Sequence, residues 1–426
     1  MNEIQSVLAI LEGTPVLLRS SLEAIPEPVR KRRLIPGQWS AHERVIHMAS
    51  VHPVFALRLE RMLAEDHPRL DSWTPSHQEG EEGLLDADLG EALERFQQER
   101  GAIVARLRDL PEEAWARTAD HPDYDDFSIL SMFRQLAVHD GLQLYRIEQA
   151  RTRRDWPEEM TPNRPVPVSE GLRGALARMV PGQVNIVGPF EVPGSKPRHL
   201  RIYLPRDYTP DRTWLALYLF DGQNVFGDEG TFSGGWHVHE AVETLTRTRR
   251  PVPVVIGIDH GDEDRIVELN PFTHDGVPGR LTEFAGWVTG ELMPVLSEEL
   301  KLVPPPLGAV IGGSSMGGLA ALWTHFHFPE SFGGALVMSP SFWMDNQKIF
   351  DDLADQPDPA MSRIYLDAGA REDRGRLIPI VAAMAAVLAG RGWDDDKLMW
   401  RPDARGGHNE ASWRRRIPKA LRFLYR

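Results

Sequence analysis

The sequence predicts two domains of different class, an all-α four-helix bundle followed by an α/β domain with a mostly parallel sheet. Its 426 residues are more than one ordinary domain needs. The first part is patterned as amphipathic helices, whereas the second alternates short apolar runs with helical segments. A proline-rich, acidic segment separates the two. We expect a bundle, a linker and an α/β domain, with bounds 1–155, 156–181 and 182–426.

Four segments of the first part carry apolar residues at helical spacing. They cover residues 3–24, 40–63, 89–110 and 129–151. Ser40 and Glu43 form the S-x-x-E pattern of a capping box, which satisfies two free amides at a helix start. Four amphipathic helices of this length predict an antiparallel bundle.

Six short apolar runs follow the linker and are separated by helical text. In order they read HLRIYLP, WLALYLF, VPVVIGID, LGAVIGG, GGALVMS and SRIYLDAG. Strands that alternate with helices predict crossover connections and therefore parallel pairing.

Composition excludes several classes of protein. A formal net charge of -14 argues against a nucleic-acid partner, because nucleic-acid binders are normally basic. The absence of cysteine excludes disulfides, cysteine-ligated zinc and a cysteine nucleophile. The sequence has no apolar run of bilayer length and no basic region at its start, so we expect a cytoplasmic protein without a membrane partner.

The stretch IGGSSMGGLA contains the pattern G-x-S-x-G from Gly313 to Gly317. Alone the pattern is a weak signal, and a flexible glycine-rich loop would also fit it. Here an apolar run precedes it and helical text follows it, which is the strand, turn and helix of a nucleophile turn. We therefore predict Ser315 as a nucleophile and the Met316 amide as an oxyanion donor.

A serine hydroxyl needs a base, and the base needs an orienting acid. The late segment RPDARGGHNEASW offers His408, which follows two glycines. The acid is expected in the loop after SRIYLDAG, where Glu372 is favoured and Asp373 is the close alternative. Asp367 and Asp403 fit this position less well.

A second oxyanion donor is expected in the loop after an earlier strand. WLALYLF is followed by DGQNVF, so the amides of Gly222 and Gln223 are candidates. A simple turn is the alternative, since Asp-Gly is a common turn dipeptide. Trp236 is a candidate for the aromatic wall of a substrate pocket, although aromatic residues near strand ends more often belong to the packed core.

With these residues in hand, residues 182–426 resemble the enterochelin-esterase-like branch of the α/β-hydrolases. The matching pieces are LRIYLPRDYTP, YLFDGQNVF, VVIGID, RIVELNPF, GGSSMGG, DAGARED and GGHNEASW. The resemblance implies a serine hydrolase acting on esters, with DGQ as the oxyanion loop and three matching catalytic residues, Ser315, His408 and Glu372. It also places Arg265 and Glu268 near the cleft, as substrate contacts or as an ion pair.

Residues 1 to about 155 resemble the DinB-like four-helix bundles, through PGQWSAHERVIHMA, RFQQER, LRDLPEEAW and LAVHDGLQLYRIEQA. That family often binds a divalent metal through three histidines. His47 and His139 match the first two positions, and Gln143 stands at the third. A glutamine amide is a weak ligand for zinc or nickel. Two interpretations therefore stay open, a bundle that binds a divalent metal and an accessory bundle that has lost its metal.

We therefore expect a serine esterase that acts on a small-molecule ester through an acyl-enzyme and needs no cofactor. Siderophore-like esters are one substrate class, although enterochelin esterases typically carry a β-rich domain where this chain has helices. Two alternatives differ in class. One is a metal-dependent DinB-like transferase with an accessory hydrolase fold, and the other is a non-catalytic scaffold.

Overall fold

The computed structural model of the protein describes residues 2–33, 39–70, 81–121, 124–152, 165–176, 179–227 and 234–426. The chain forms two compact units, Met1–Pro162 and Asn163–Arg426. None of the helices in these described ranges combines the length and apolar character that crossing a bilayer requires.

The first unit is mainly helical. Its helices are α1 Glu3–Glu23, α2 Ala41–Ser50, α3 His52–Ala64, α4 Glu81–Asp86, α5 Leu89–Arg108 and α6 Ile129–Thr152. A short antiparallel hairpin, β1 Thr118–His121 and β2 Tyr124–Ser128, precedes α6. Helices α1, α2 and α3 each pack against both α5 and α6, and their apolar faces form the core of the unit.

The segment predicted as the second helix is two helices in the structure. Helix α2 ends at Ser50 and α3 begins at His52, with Pro53 in its first turn. Proline lacks an N–H and is tolerated only there, which explains the break. The capping box predicted at the start of α2 is confirmed, since Ser40 N donates to Glu43 Oε2 at 2.8 Å and Glu43 N to Ser40 Oγ at 3.2 Å.

The second unit is built on an eight-stranded sheet. Its strands are β3 Val184–Val192, β4 Ser195–Tyr203, β5 Leu215–Phe220, β6 Pro253–Ile258, β9 Ala309–Ser314, β10 Gly334–Met338, β11 Arg363–Gly369 and β12 Leu398–Asp403. The spatial order is β12-β11-β10-β9-β5-β6-β4-β3. The six strands from β12 to β6 are parallel, and β4 runs antiparallel to both β6 and β3. The carboxyl ends of the parallel strands therefore share one edge.

Helices and one small hairpin complete this unit. They are α7 Val168–Leu176, α8 Val238–Arg247, α9 Arg265–Glu268, β7 Thr273–His274, β8 Val277–Pro278, α10 Leu281–Trp287, α11 Met293–Glu299, α12 Met316–His327, α13 Ile349–Ala354, α14 Leu377–Gly390 and α15 Glu410–Leu424. The strands and the apolar faces of the helices form one continuous core.

Part of the predicted linker is structured. Helix α7 lies inside residues 156–181, and its Val168 and Leu172 are buried against β3 and α11. The linker predicted from the proline content therefore does not extend over the whole of residues 156–181, because α7 is a packed helix. The residues just before α7, 153–164, lie outside the described ranges.

Candidate active site

Ser315 is held in an uncommon backbone conformation between β9 and α12. Its φ and ψ are 56° and -120°. Its N–H donates to Met338 O at 3.1 Å, and its carbonyl accepts from Ser341 N at 3.0 Å. A positive φ is strained for a non-glycine residue and persists only where the surroundings fix it. The turn therefore fixes the Ser315 side chain at the carboxyl edge of the sheet.

The glycines around Ser315 are required by close backbone contact. A Cβ on Gly313 would lie 2.5 Å from the carbonyl carbon of Gly317. A Cβ on Gly317 would lie 2.9 Å from Asp221 Oδ2. Neither position has room for a side chain unless its neighbours move, so the spacing of the pattern follows from the packing of strand against helix.

We expect Gly313→Ala to lower the free energy of unfolding by about 1–3 kcal/mol, because the new methyl group overpacks a backbone contact. The measurement is the shift of the urea unfolding midpoint. Gly286→Ala is the matched control, since a Cβ there has nothing within 4 Å and its site in α10 is helical. An equal loss in both variants would show that the close contact has no energetic consequence.

The structure brings Glu372 and His408 together. Glu372 follows β11, His408 follows β12, and Glu372 Oε2 lies 3.0 Å from His408 Nδ1. The carboxyl group is buried, with 1% of its side chain exposed, whereas 31% of the His408 side chain is exposed. Asp373, the alternative acid, is 62% exposed and pairs with Arg376 at 3.0 Å. The imidazole is therefore oriented by Glu372, and its other face can meet a substrate.

Glu372 is fixed by a buried hydrogen-bond cluster that sequence reasoning did not identify. Ser339 Oγ donates to Glu372 Oε1 at 2.7 Å and accepts from Trp413 Nε1 at 2.9 Å and from Arg416 Nη2 at 3.0 Å. The N–H of Gly369 also donates to Glu372 Oε1 at 2.7 Å. One carboxylate oxygen is thereby saturated, which leaves the other for His408.

Asp367 is a second buried carboxyl group beside this cluster. It accepts from Ser339 N at 3.0 Å and lies 3.2 Å from Arg416 Nη1. Burial, opposed by Arg416 and reinforced by Glu372, raises the pKa of Asp367 to about 7. In the described part of the chain its side chain contacts Ser339, Arg416 and Tyr365 and not His408, so its geometry does not match that of the acid partner.

The hydroxyl of Ser315 contacts another serine. Ser315 Oγ lies 3.2 Å from Ser341 Oγ. Among the described residues no hydrogen bond joins Ser315 to His408. Hydrogen bonds between a nucleophile and its base are commonly long in ligand-free enzymes and tighten when substrate binds.

Two groups of backbone amides lie at the sheet edge. The Met316 N–H belongs to the first residue of α12 and so has no acceptor within its helix. Gly222 begins a short 3-10 turn after β5, and a Cβ on it would lie 2.6 Å from Asp259 Oδ1. The side chain of Gln223 hydrogen-bonds the backbone of His260, at 3.1 Å and 3.3 Å. The Gln223 side chain therefore holds the loop in place, and the backbone N–H of Gln223 is the candidate oxyanion donor.

Arg265 and Glu268 form separate ion pairs. Arg265 binds Asp221 in a bidentate manner, at 2.6 Å and 2.8 Å. Burial would raise the pKa of Asp221, but Arg265 outweighs it, so this pKa lies below its usual value. Glu268 pairs with the buried Arg198 and accepts from Gly261 N at 3.0 Å. Because Asp221 directly precedes Gly222, the Arg265 pair fixes the start of the DGQ loop.

The structure places Trp236 in the interior, with 1% of the residue exposed. Its ring centroid lies 5.6 Å from that of Trp413, which lies 5.2 Å from the His408 ring. The Trp236 ring therefore packs behind the tryptophan that supports His408.

The three side chains at the positions predicted for a metal in the helical unit lie close together. His47 Nε2 is 3.1 Å from His139 Nε2, which is 3.3 Å from Gln143 Nε2. Gln143 Oε1 accepts from Arg44 Nη1 at 2.8 Å. The oxygen that would ligate a metal is therefore engaged by a permanent cation, and the three positions supply no carboxylate. This donor set does not fit a divalent metal ion.

One sequence signal could have found some of the missed residues. Asp221 and Ser339 directly follow β5 and β10, at the edge where open parallel sheets carry their sites. Trp413 and Arg416 lie on α15 and reach Ser339 only through the fold.

The mostly parallel sheet, with a serine, a histidine and a buried carboxyl group at one edge, is typical of α/β-hydrolases. The chain belongs to the esterase family described as "Putative esterase", whose model matches residues 194–424, more than half of the chain. The model of the DinB superfamily matches residues 10–145. The resemblance of each part that the sequence indicated is therefore confirmed.

Individual relatives match about half of the chain. The uncharacterized protein YbbA of Bacillus subtilis is 23% identical over 54% of this chain and 92% of its own length. The iron(III) enterobactin esterase of Escherichia coli is 30% identical over 54% of each chain. A solved enterobactin esterase from Shigella flexneri, crystallised with enterobactin, has a TM-score of 0.44 and 24% identity over 54% of this chain and 55% of its own. The chain thus spans about half the length of these enterobactin esterases.

Proposed function

We propose that the protein is a serine carboxylic-ester hydrolase with Ser315 as nucleophile, His408 as general base and Glu372 as the orienting acid. The observation that carries the proposal is the 3.0 Å hydrogen bond between Glu372 and His408, at the same sheet edge as the strained Ser315 turn. A buried carboxylate holds the imidazole in one tautomer and stabilises the imidazolium that forms during reaction.

In the proposed reaction Ser315 Oγ attacks the ester carbonyl carbon, and its proton passes to His408. The amides of Met316 and of Gly222 or Gln223 bind the oxyanion of the tetrahedral intermediate. The intermediate expels the alcohol, which receives the proton from His408. Water, activated by the same imidazole, then hydrolyses the acyl-enzyme and restores Ser315.

We propose a small-molecule ester as the substrate, with siderophore-like esters included in this class. Two observations bear on the choice. The relatives of established name are iron(III) siderophore esterases, but this chain covers only about half of their length and carries a helical unit besides its esterase part. The ester chemistry is therefore the firmer part of the proposal, and the acyl and alcohol groups are to be found by screening.

The experiment that tests the nucleophile is labelling with a fluorophosphonate, followed by mass spectrometry of the peptides. We expect one adduct per chain, on the peptide that contains Ser315. His408→Ala should abolish the label, because the serine then loses its base. A folded protein that takes no label, or takes it on another residue, would exclude the proposed nucleophile.

A further inference from the structure

The helical unit contains a buried cationic side chain that the proposed esterase does not use. Arg44 lies on α2 with 9% of the residue exposed. In the part of the chain that the structure describes, its hydrogen bond goes to Gln143 Oε1, and no carboxylate lies within ion-pair distance. A glutamine amide is neutral, so Arg44 has no ion-pair partner and only the more distant Glu43 opposes its charge.

Two buried carboxylates of the same helices, α2 and α6, are engaged with other cations. Glu43, next in sequence, pairs with the buried Arg33. Asp140, on α6, pairs with the buried Arg100. Burial and the nearby Arg146 lower the pKa of Arg44 to about 10, so it stays charged at neutral pH. Burying a charge without an ion-pair partner is unfavourable, and an anion bound at this position would offset that cost.

The side chains beside Arg44 form a chain of hydrogen bonds. The amide nitrogen of Gln143 can only donate, so His139 Nε2 accepts from it at 3.3 Å and from His47 Nε2 at 3.1 Å. A primary amide offers two N–H groups, so Gln143 has a second one to offer an anion. The His139 side chain is 12% exposed, so this end of the chain of hydrogen bonds lies near the surface.

We infer that Arg44 and Gln143, beside the two histidines, form a binding site for a small oxyanion, a carboxylate or a phosphate, in place of a metal site. A guanidinium binds either group through two parallel N–H donors, and Gln143 occupies only one of its nitrogens. The same guanidinium is hydrogen-bonded to Gln143, one of the three positions predicted for a metal, so it would repel a divalent cation bound there. The residues at the positions predicted for a metal therefore favour an anion over a cation.

The test is isothermal titration calorimetry of the full chain, dialysed against a chelator, with inorganic phosphate and acetate as separate probes. We expect one of them to bind at one site per chain, and the stronger probe identifies the anion class. Arg44→Gln should weaken binding at least tenfold, because the charge and the donor fork are both lost. Binding should also shift the imidazole nitrogen resonances of His139 in NMR spectra.

The matched control is Arg106→Gln, since Arg106 is an exposed arginine of the same unit that pairs with Glu60. It should leave anion binding unchanged. Should Arg44→Gln disturb folding, Arg44→Lys keeps the charge, loses the fork and should still weaken binding severalfold. The inference is overturned if neither anion binds, if binding is the same in the Arg44 variants, or if zinc or nickel binds stoichiometrically through His47 and His139.

Discussion

Ser315→Ala is expected to lower kcat for an aryl ester by roughly 10⁴-fold or more, because the substitution removes the atom that forms the acyl-enzyme. The amides of Met316, Gly222 and Gln223 stay in place, so a residual rate from substrate binding and oxyanion stabilisation remains. The fold should be retained, because Ser315 is only partly buried and its backbone is fixed from both sides. Steady-state kinetics together with circular dichroism measure both expectations.

The matched control for this prediction is Ser314→Ala. Ser314 is the last residue of β9, is 4% exposed and is the other serine of the motif. Its variant should keep kcat within a fewfold of the wild-type value. If Ser314→Ala instead lost turnover while Ser315→Ala kept it, the nucleophile would be the neighbouring serine and the interpretation of the turn would be wrong.

The central strands could be predicted from the sequence because they are buried on both faces. Parallel strands covered by helices are continuous apolar runs, and LALYLF of β5 and AVIGGS of β9 have that form. The edge strand β12, LMWRPD, is only partly buried, so it lacks an apolar run and was missed. At the other edge β3 was missed as well, where a proline and a glycine interrupt the pattern.

The candidate site could be predicted only as far as chain order and strand ends allow. Ser315, His408 and Glu372 each follow a strand, and the glycine pattern marked the first of them. The partners of Glu372 could not be found in this way. Trp413 meets Ser339 across 74 residues, and nothing local to either residue indicates the contact.

Adjacent positions and packing also needed the folded backbone. Glu372 and Asp373 are close alternatives in the sequence, with Glu372 favoured, and the turn buries the first and exposes the second. Trp236 is an aromatic residue of the kind that lines substrate pockets, yet it is buried and its ring packs against that of Trp413. In both cases the decisive quantity is the direction of a side chain from a loop, which depends on contacts distant in sequence.

Glu372→Gln is expected to lower kcat about 10²- to 10⁴-fold with little change in stability. A glutamine oxygen can still accept from Ser339 and Gly369, so the packing of the loop is retained. The amide nitrogen would then face His408 Nδ1 and donate to it. That bond favours the tautomer with its proton on Nε2, and a protonated Nε2 cannot accept the proton of Ser315.

The comparison that decides between the two acids is Asp373→Asn, which alters the same turn with the same change of charge. Asp373 contacts the exposed Arg376, and an exposed pair contributes at most about 1 kcal/mol, so kcat should stay near the wild-type value. Full activity in Glu372→Gln, combined with loss in Asp373→Asn, would assign the acid to Asp373. The loop after β11 would then have to change conformation before reaction, because Asp373 is exposed in the structure.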